Sequence, residues 1–435
     1  MSDLRPGAVI HTAFVTTTTA PPEDLLEFLR RCGVALCLAG EAASRIPDEM
    51  EAIADAYGIG DCEFLVVPTG VFVRIVDEED GVVTVDFMNA DGPPLRLDQV
   101  DRLYKLIETV KRNPIPPEEA IDELEEIVES KPRFNWFNRI IGHAVLTVGL
   151  GLLLVRDAKA LSALAVLGLV VGILRLIAEK VQVLSLALPV AAAMLVTGLA
   201  YRFGPGLDVE PSTLLIPPLV TFLPGAALTL GAQEMATRSM ISGASRIVSG
   251  VYMLLLLSFG IFAGAQIAGT AHPPIEAADL PGWAPVLGVV VFGIGMFVNS
   301  SAPKRSLPWL LLMLFAAWGA QKLGDQVASG GLFGAFTGGL VVVPIATLVQ
   351  RLKGPPAQVA SLPAFWLLVP GALGLAGVSG LVDLNSGSAG ANNLVTAFLT
   401  VVAVALGILV GSSFVATARA SSRLFTSRAV RRRNR

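Results

Sequence analysis

Apolar positions along this chain fall into two regimes. Up to about residue 138 they recur at helical or strand spacing among many charges, whereas over 139–418 they gather into runs of about 17 to 25 residues with few charges between them. Runs of that length suit helices crossing about 30 Å of hydrocarbon at a rise of about 1.5 Å per residue. Spans are expected at about 139–155, 159–177, 181–201, 212–233, 245–269, 284–301, 305–321, 330–350, 361–382 and 393–416. The pattern predicts a polytopic α-helical membrane protein of about ten transmembrane helices, preceded by a soluble head.

One stretch departs from a plain span. Ile216 to Gly264 begins as an apolar run interrupted by Pro217, Pro218 and Pro224-Gly225, passes a polar segment with Glu234, Arg238 and Arg246, and re-enters a long apolar helix. A proline leaves helix carbonyls unpaired, and in hydrocarbon they have no water to turn to, so such a break persists only where protein groups or a wet cavity satisfy it. A transport pathway lined by this segment is the expectation. The pattern recurs later in the chain. Shifted by 146 positions, IPPLVTFLPGA (Ile216–Ala226) lies over LPAFWLLVPGA (Leu362–Ala372), pairing Pro217 with Pro363, Pro224 with Pro370 and Gly225 with Gly371. With one further residue of offset, GIFAG at Gly260 falls on GILVG at Gly407. Corresponding Gly/Pro-interrupted spans in two halves point to a substrate site at a repeat interface. Five spans per half is an odd number, which turns the second copy upside down. The expected organisation is two inverted five-helix repeats, 136–270 and 284–418, around an external linker at 271–283.

The head divides into a flexible N-terminus, 1–21, and an α+β domain, 22–135. Helical spacing runs from Pro22 through Leu25, Leu26, Phe28, Leu29, Val34–Leu38, Ile46, Met50, Ile53 and Ala54 to a stop at Tyr57-Gly58. Strand-like runs at Cys62–Asp77 and Val82–Met88, joined through Glu78-Glu79-Asp80-Gly81, read as a hairpin, and helices follow at Leu97–Arg112 and Glu118–Glu129. Ile121, Leu124, Ile127 and Val128 share one face of the last helix, which makes its carboxylates a solvated surface. Cys32, Cys37 and Cys62 read as small buried apolar residues in a reducing compartment. With no nucleotide loop, metal-ligand spacing or catalytic cluster, the sequence points away from an enzyme and implies no cofactor.

Charge fixes the expected orientation. Residues 1–138 hold 27 of the 36 acidic and 12 of the 32 basic residues, a net of −15, against +11 for the remainder. With the head inside, short loops on its side carry Arg175, Lys180, Arg238, Arg246, Lys304, Arg305, Arg351 and Lys353, against Arg156, Lys159, Arg202 and Lys322 opposite. Met1–Arg30 lacks the apolar core of a secretory signal. Head and C-terminus are therefore expected in the cytoplasm, the helices in the cytoplasmic (inner) membrane. The basic tail, 419–435, suits anionic lipid headgroups rather than nucleic acid.

Glu234 and Arg246 lead the candidates for coupling or gating. They lie twelve apart across a helical hairpin, and ionisable residues at membrane depth face bundle interiors and mark ion or substrate routes, the alternative being an interfacial pair that anchors a loop. Asp383 is the counterpart in the second half, with Asn392 near it, the alternative being an exposed loop acid. Thr221 and Thr229 flank Pro224-Gly225 about one turn away on either side, placed to satisfy freed carbonyls or to bind substrate. His143, in the first span, has the titration range for proton transfer, although a lone histidine there is more often a hydrogen-bonded strut. Arg175 and Glu179 have the spacing of an i,i+4 pair. Gly-rich faces such as Gly330–Gly339 would pack within one chain or between two, so a homodimer stays open.

At FLPGAALTLGAQE followed by SGASRIVSG, and in the head at ALCLAGEAASRIPDEMEAIADAYGI (Ala35–Ile59) and RLYKLIETVKRNPIPPEEAIDELEEI (Arg102–Ile127), the chain resembles the threonine/serine exporter family. The resemblance covers about residues 30 to 416 and implies ten spans, a cytoplasmic N-terminal domain, and export of L-threonine and L-serine driven by the proton motive force. The motif residues carried over are Pro224, Gly225, Glu234, Gly243 and Arg246; the second half has no obvious match to Glu234 and Arg246. A zwitterionic amino acid needs an acceptor for its ammonium and a donor for its carboxylate, and broken helices supply both. The expected substrate site is Thr221, Pro224, Gly225, Thr229, Pro370, Gly371 and Asn392, with Glu234, Arg246, Asp383 and His143 for proton coupling or gating. A dicarboxylate exporter or an ion channel is the alternative.

Overall fold

A computed structural model describes residues 22–433 apart from 77–82, 156, 180, 270–274, 276–278, 329–330, 369–374 and 376–387. The head opens with helices α1 (Pro22–Leu38) and α2 (Ile46–Ala56), continues through strands β1 (Cys62–Val67), β2 (Gly70–Val76) and β3 (Val83–Asn89), and closes with α3 (Leu97–Arg112) and α4 (Pro117–Glu129). The strands form an antiparallel sheet in the order β1-β2-β3. The expected single strand over Cys62–Asp77 is two strands, because Pro68-Thr69 makes a tight turn that pairs Val67 with Gly70. The helical pattern from Pro22 to Gly58 likewise splits. Gly40, at φ +75°, ends α1 as a left-handed cap, with the Gly40 N–H donating to the Cys37 carbonyl and the Glu41 N–H to that of Leu36.

Head packing follows the periodicity. Leu25, Phe28, Leu29, Cys32 and Leu36 of α1 meet Val66, Val71, Val73 and Ile75 on one face of the sheet, and Leu103, Ile107, Val110, Leu124 and Ile127 complete the core. Ile121 packs against its edge, but Val128 stays exposed and does not join the buried face of α4. The same cluster continues into Ala302, Leu310 and Val359, so the head core is continuous with the end of the helical bundle.

The bundle comprises α5 (Trp136–Leu154), α6 (Ala160–Ala178), α7 (Gln182–Phe203), three short 3-10 turns between Pro205 and Phe222, α8 (Gly225–Ala236), α9 (Met240–Ala268), α10 (Ala284–Asn299), α11 (Leu307–Val327), α12 (Leu332–Arg351), α13 (Ala357–Leu367) and α14 (Ser388–Arg433). Among the described residues five helical segments are long and apolar enough to cross a membrane: Trp136–Leu154, Ala160–Ala178, Met240–Ala268, Leu332–Arg351 and Val395–Thr417. Shorter apolar helices accompany them. The expected fourth span is not continuous: Pro217–Phe222 is a 3-10 turn, Leu223 is extended, and a regular helix begins only at Gly225. The helix after it starts at Met240, five residues ahead of the expected span.

Glycines set how closely these helices approach, since a missing Cβ lets backbones touch. A Cβ at Gly260 or Gly264 of α9 would lie 2.6 Å from the Val190 carbonyl oxygen or 2.4 Å from that of Met194 on α7. In the second half, a Cβ at Gly407 or Gly411 of α14 would lie 2.2 Å from the Phe336 oxygen or 2.3 Å from that of Leu340 on α12. The two matched GxxxG motifs thus do the same job in each half. The first helices of the halves, α5 and α10, meet directly and run antiparallel: Gly142 approaches Asn299, Leu146 approaches Gly295, Gly149 approaches Phe292, and Leu152 approaches Gly288. Gly334, Gly338 and Gly339 pack within the chain, against Asp325, Leu368 and Val404.

Two outcomes follow from this packing. A Cβ at Gly149 would lie 2.2 Å from the Phe292 nitrogen, whereas one at Gly319 meets nothing within 4 Å. Gly149→Ala is expected to destabilise the bundle by about 1–3 kcal/mol, and Gly319→Ala to leave it unchanged or stabilise it slightly, read as melting temperature in detergent. In the head, burial pushes the Cys32 thiol up from its ordinary 9.0 to about 12, with Glu49 adding to the shift and Lys111 opposing it. A folded value above the unfolded one favours the native state while the thiol is neutral. That contribution is complete below pH 9.0 and is lost as pH climbs toward about 12. Alkylation of Cys32 at pH 8 should run roughly a thousandfold slower in the native protein than in unfolded chain.

Candidate functional site

The polar segment that interrupts the apolar pattern forms a tight helical hairpin. Pro224 is the N-cap of α8, and the Leu228 N–H donates back to its carbonyl, so the first N–H groups of α8 start at the break. The other end stops with Arg238 at φ +69°, the Arg238 N–H donating to Met235 and the Ser239 N–H to Glu234, the carbonyl pattern usually closed by glycine. Returning on α9, the chain passes within backbone contact of α8. A Cβ at Gly231 would lie 3.0 Å from the Gly243 oxygen, and one at Gly243 2.7 Å from the Gly231 oxygen. This approach brings Glu234 and Arg246 together.

Arg246 Nε donates to both Glu234 oxygens at 3.1 Å. The glutamate is 0% exposed and the arginine side chain 14%. Further partners come from the head. The Ala43 N–H donates to Glu234 Oε1 at 2.8 Å, and Arg246 Nη2 donates to the Glu41 carbonyl at 3.0 Å. Gln358 Nε2 of α13 donates to the Gly40 carbonyl at 2.8 Å, and Ser242 Oγ of α9 to the Val66 carbonyl at 3.2 Å. Elsewhere the Leu97 N–H donates to the Ser300 carbonyl at 3.2 Å and Arg133 Nη1 to that of Ala302 at 3.0 Å. The short connection between α1 and α2 therefore lies across the ends of α8, α9 and α13.

The other expected residues divide. His143 is fully buried; Gly168 offers only a carbonyl, so His143 Nδ1 donates to it at 3.0 Å and Nε2 is left to accept from the Thr221 hydroxyl at 3.4 Å. Two residues singled out separately are thus in contact, bracing the 3-10 turn before the break. Thr229 is 0% exposed, and its hydroxyl has no hydrogen-bond partner among the described residues. α8 faces the second half: Ala226 packs against the cluster of Phe365, Val404 and Ile408, and Val220 shares a cluster with Leu367. Pro370, Gly371 and Asp383 lie outside the described residues, and Asn392 falls in α14 with its side chain outside them. Arg175 and Glu179 do not pair with each other. Arg139 of α5 takes Glu179, with Nη1 donating at 3.1 Å, while Arg175 Nη1 donates to Asn299 Oδ1 at 3.2 Å, because α5 and α10 bring partners closer than the i,i+4 neighbour. Sequence reasoning missed Gln358, whose side-chain amide reaches a backbone carbonyl, and the Gly40–Ala43 connection, which acts through backbone atoms that leave no side-chain signature.

A family model described as a threonine/serine exporter covers residues 27–268, and a second of the same description covers 285–414. The chain belongs to the threonine/serine exporter family. Among its relatives, this exporter-family chain is 25% identical to the pheromone-regulated membrane protein 10 of Debaryomyces hansenii over 425 residues, 88% of this chain and 41% of that protein. It is 23% identical to the Kluyveromyces lactis protein of the same name, over 89% of this chain and 43% of the relative. With the Saccharomyces cerevisiae protein the identity is 27% over 54% of this chain and 62% of that protein. The chain spans about half the length, or less, of the first curated relatives it matches. No solved structure matches.

Removing one member of a buried ion pair strands the other. Glu234→Ala is expected to cost about 3–5 kcal/mol, and Glu234→Gln less, since an amide oxygen still accepts from Ala43. A double-mutant cycle with Arg246→Met, followed by thermal unfolding, should show the two losses to be strongly non-additive.

Proposed function

We propose that this membrane protein is a secondary active exporter of small hydroxylated amino acids, L-threonine and L-serine, driven by the proton motive force. In this reading the head and both termini are cytoplasmic. The chain crosses the inner membrane ten times, with α7, the broken segment 211–236, α10, α11 and the segment begun by α13 completing the count. The antiparallel α5–α10 contact and the equivalent glycine contacts of α9 on α7 and α14 on α12 support two inverted five-helix halves.

The observation that carries the reading is the buried Glu234–Arg246 pair at the foot of a helix broken at Pro224. Together they provide an acceptor for an ammonium, a donor for a carboxylate, and at the other end of α8 the first N–H groups of a helix. The unpartnered Thr229 hydroxyl, one turn into α8, is suited to the single polar contact a substrate hydroxyl needs. His143 serves as the strut that fixes Thr221 beside the break.

The test is counterflow of labelled L-serine and L-threonine in proteoliposomes, with and without a proton gradient. Gradient-dependent movement competed by either amino acid is expected; movement of dicarboxylates alone, or conduction without accumulation, would overturn it. Thr229→Val separates site from scaffold. Losing an unpaired buried hydroxyl should leave thermal stability unchanged or raise it, while weakening apparent affinity for threonine about tenfold.

A further inference from the structure

The connection between α1 and α2 presents to the ion pair the groups an amino acid would present. An α-amino acid brings a carboxylate that accepts and an ammonium that donates, separated by one carbon. Glu41 brings a carbonyl that accepts from Arg246 Nη2 at 3.0 Å, and Ala43, two residues on, an N–H that donates to Glu234 Oε1 at 2.8 Å. We propose that residues 41–43 are a tethered stand-in for the substrate, occupying Glu234 and Arg246 at rest and displaced by a zwitterionic amino acid arriving from the cytoplasm. The proposal rests on the exporter reading and adds the loading step to it.

The strap is built and held from outside the pair. Gln358 of α13 anchors the Gly40 carbonyl, and the left-handed Gly40 turns the chain out of α1 toward the bundle. Behind it, the buried Glu41 carboxylate takes the Tyr104 hydroxyl and lies 3.6 Å from Arg45, which fixes the side chain that precedes the two small residues Ala42 and Ala43. Residues 41–43 belong to no helix or strand, and although Ala42 and Ala43 are buried each carries only a methyl, so lifting them off breaks a few directional bonds and withdraws only Ala43 from the core formed by α1, the sheet and α3. Glu41 and Ala43 of the head bond the pair directly and Cys37 lies near both of its charges, while Ser242 of α9 and Gln358 of α13 bind the head carbonyls of Val66 and Gly40 beside it.

Hydrogen–deuterium exchange over residues 39–46 of the full-length protein in nanodiscs tests this, beside counterflow on the same preparation. Saturating L-threonine is expected to raise exchange at Ala43 roughly tenfold or more. N-acetyl-L-threonine, which lacks the ammonium, should leave it unchanged. Gln358→Ala, which removes the anchor without touching the pair, should raise exchange with no amino acid present. Threonine transported with no change in exchange overturns the strap and leaves the exporter reading standing. If neither transport nor exchange responds to threonine or serine, both fall, the absent transport being the mark of the second. Unchanged exchange in a folded Gln358→Ala also overturns the strap.

Discussion

A carboxylate removed from water must be satisfied from within the chain, and much of the geometry around Glu234 answers that requirement. Desolvation of a charge costs several kcal/mol unless a counterion and further hydrogen bonds replace the lost water. Glu234 has both, from Arg246 and the Ala43 N–H. Neither is available unless α8 ends just past Glu234 and α9 returns in backbone contact. The first condition is met by the left-handed turn at Arg238, and the second by glycine at 231 and 243. With Pro224 setting the other end, α8 is confined to twelve residues, between a break and an ion pair.

The same reasoning explains why so many glycines lie in the bundle without loosening it. In lipid, helices gain little from hiding apolar surface from one another, so close van der Waals contact has to hold them. Gly260 and Gly264 of α9 against α7, Gly407 and Gly411 of α14 against α12, and Gly149 and Gly295 across the α5–α10 contact are places where any larger residue would separate backbones. Gly260 and Gly264 correspond in sequence to Gly407 and Gly411, so matched positions serve the same packing role in both parts of the chain.

Features governed by short-range physics were legible in the sequence. Proline acts on its own turn, so the break at Pro224-Gly225 appears where it was expected, and the spacing of Glu234 and Arg246 across a hairpin anticipated their contact. The turn at Pro68-Thr69 was hidden because unbroken apolar runs flank it, Phe64–Val67 before and Val71–Val73 after, and together they read as one strand. The i,i+4 spacing of Arg175 and Glu179 misled because tertiary neighbours, Arg139 and Asn299, outcompete a helical one. Least legible was the docking of Gly40–Ala43 on the bundle. Its bonds use carbonyls and an N–H that every residue carries, so the pattern LAGEAAS reads as an ordinary helix-to-helix connection.

That docking bears on how the halves move. The head binds the first half at Glu234, Ser242 and Arg246 and the second half at Gln358, Ser300 and Ala302. A domain bonded to both halves stays bonded to both only while they keep one arrangement. If transport proceeds by rocking one half against the other, each cycle must break the head's contacts on at least one side. The first-half set holds bonds to both members of a buried ion pair, whereas the second-half set joins the Arg133 and Gln358 bonds to apolar packing at Ala302, Leu310 and Val359. On the proposed loading step, only the first set faces a competitor, because a zwitterion can replace polar groups on Glu234 and Arg246 but not apolar packing. With the pair taken over, the head would be held chiefly by the second half. Occupancy of one ion pair would thereby decide whether the head bridges both halves or follows the second.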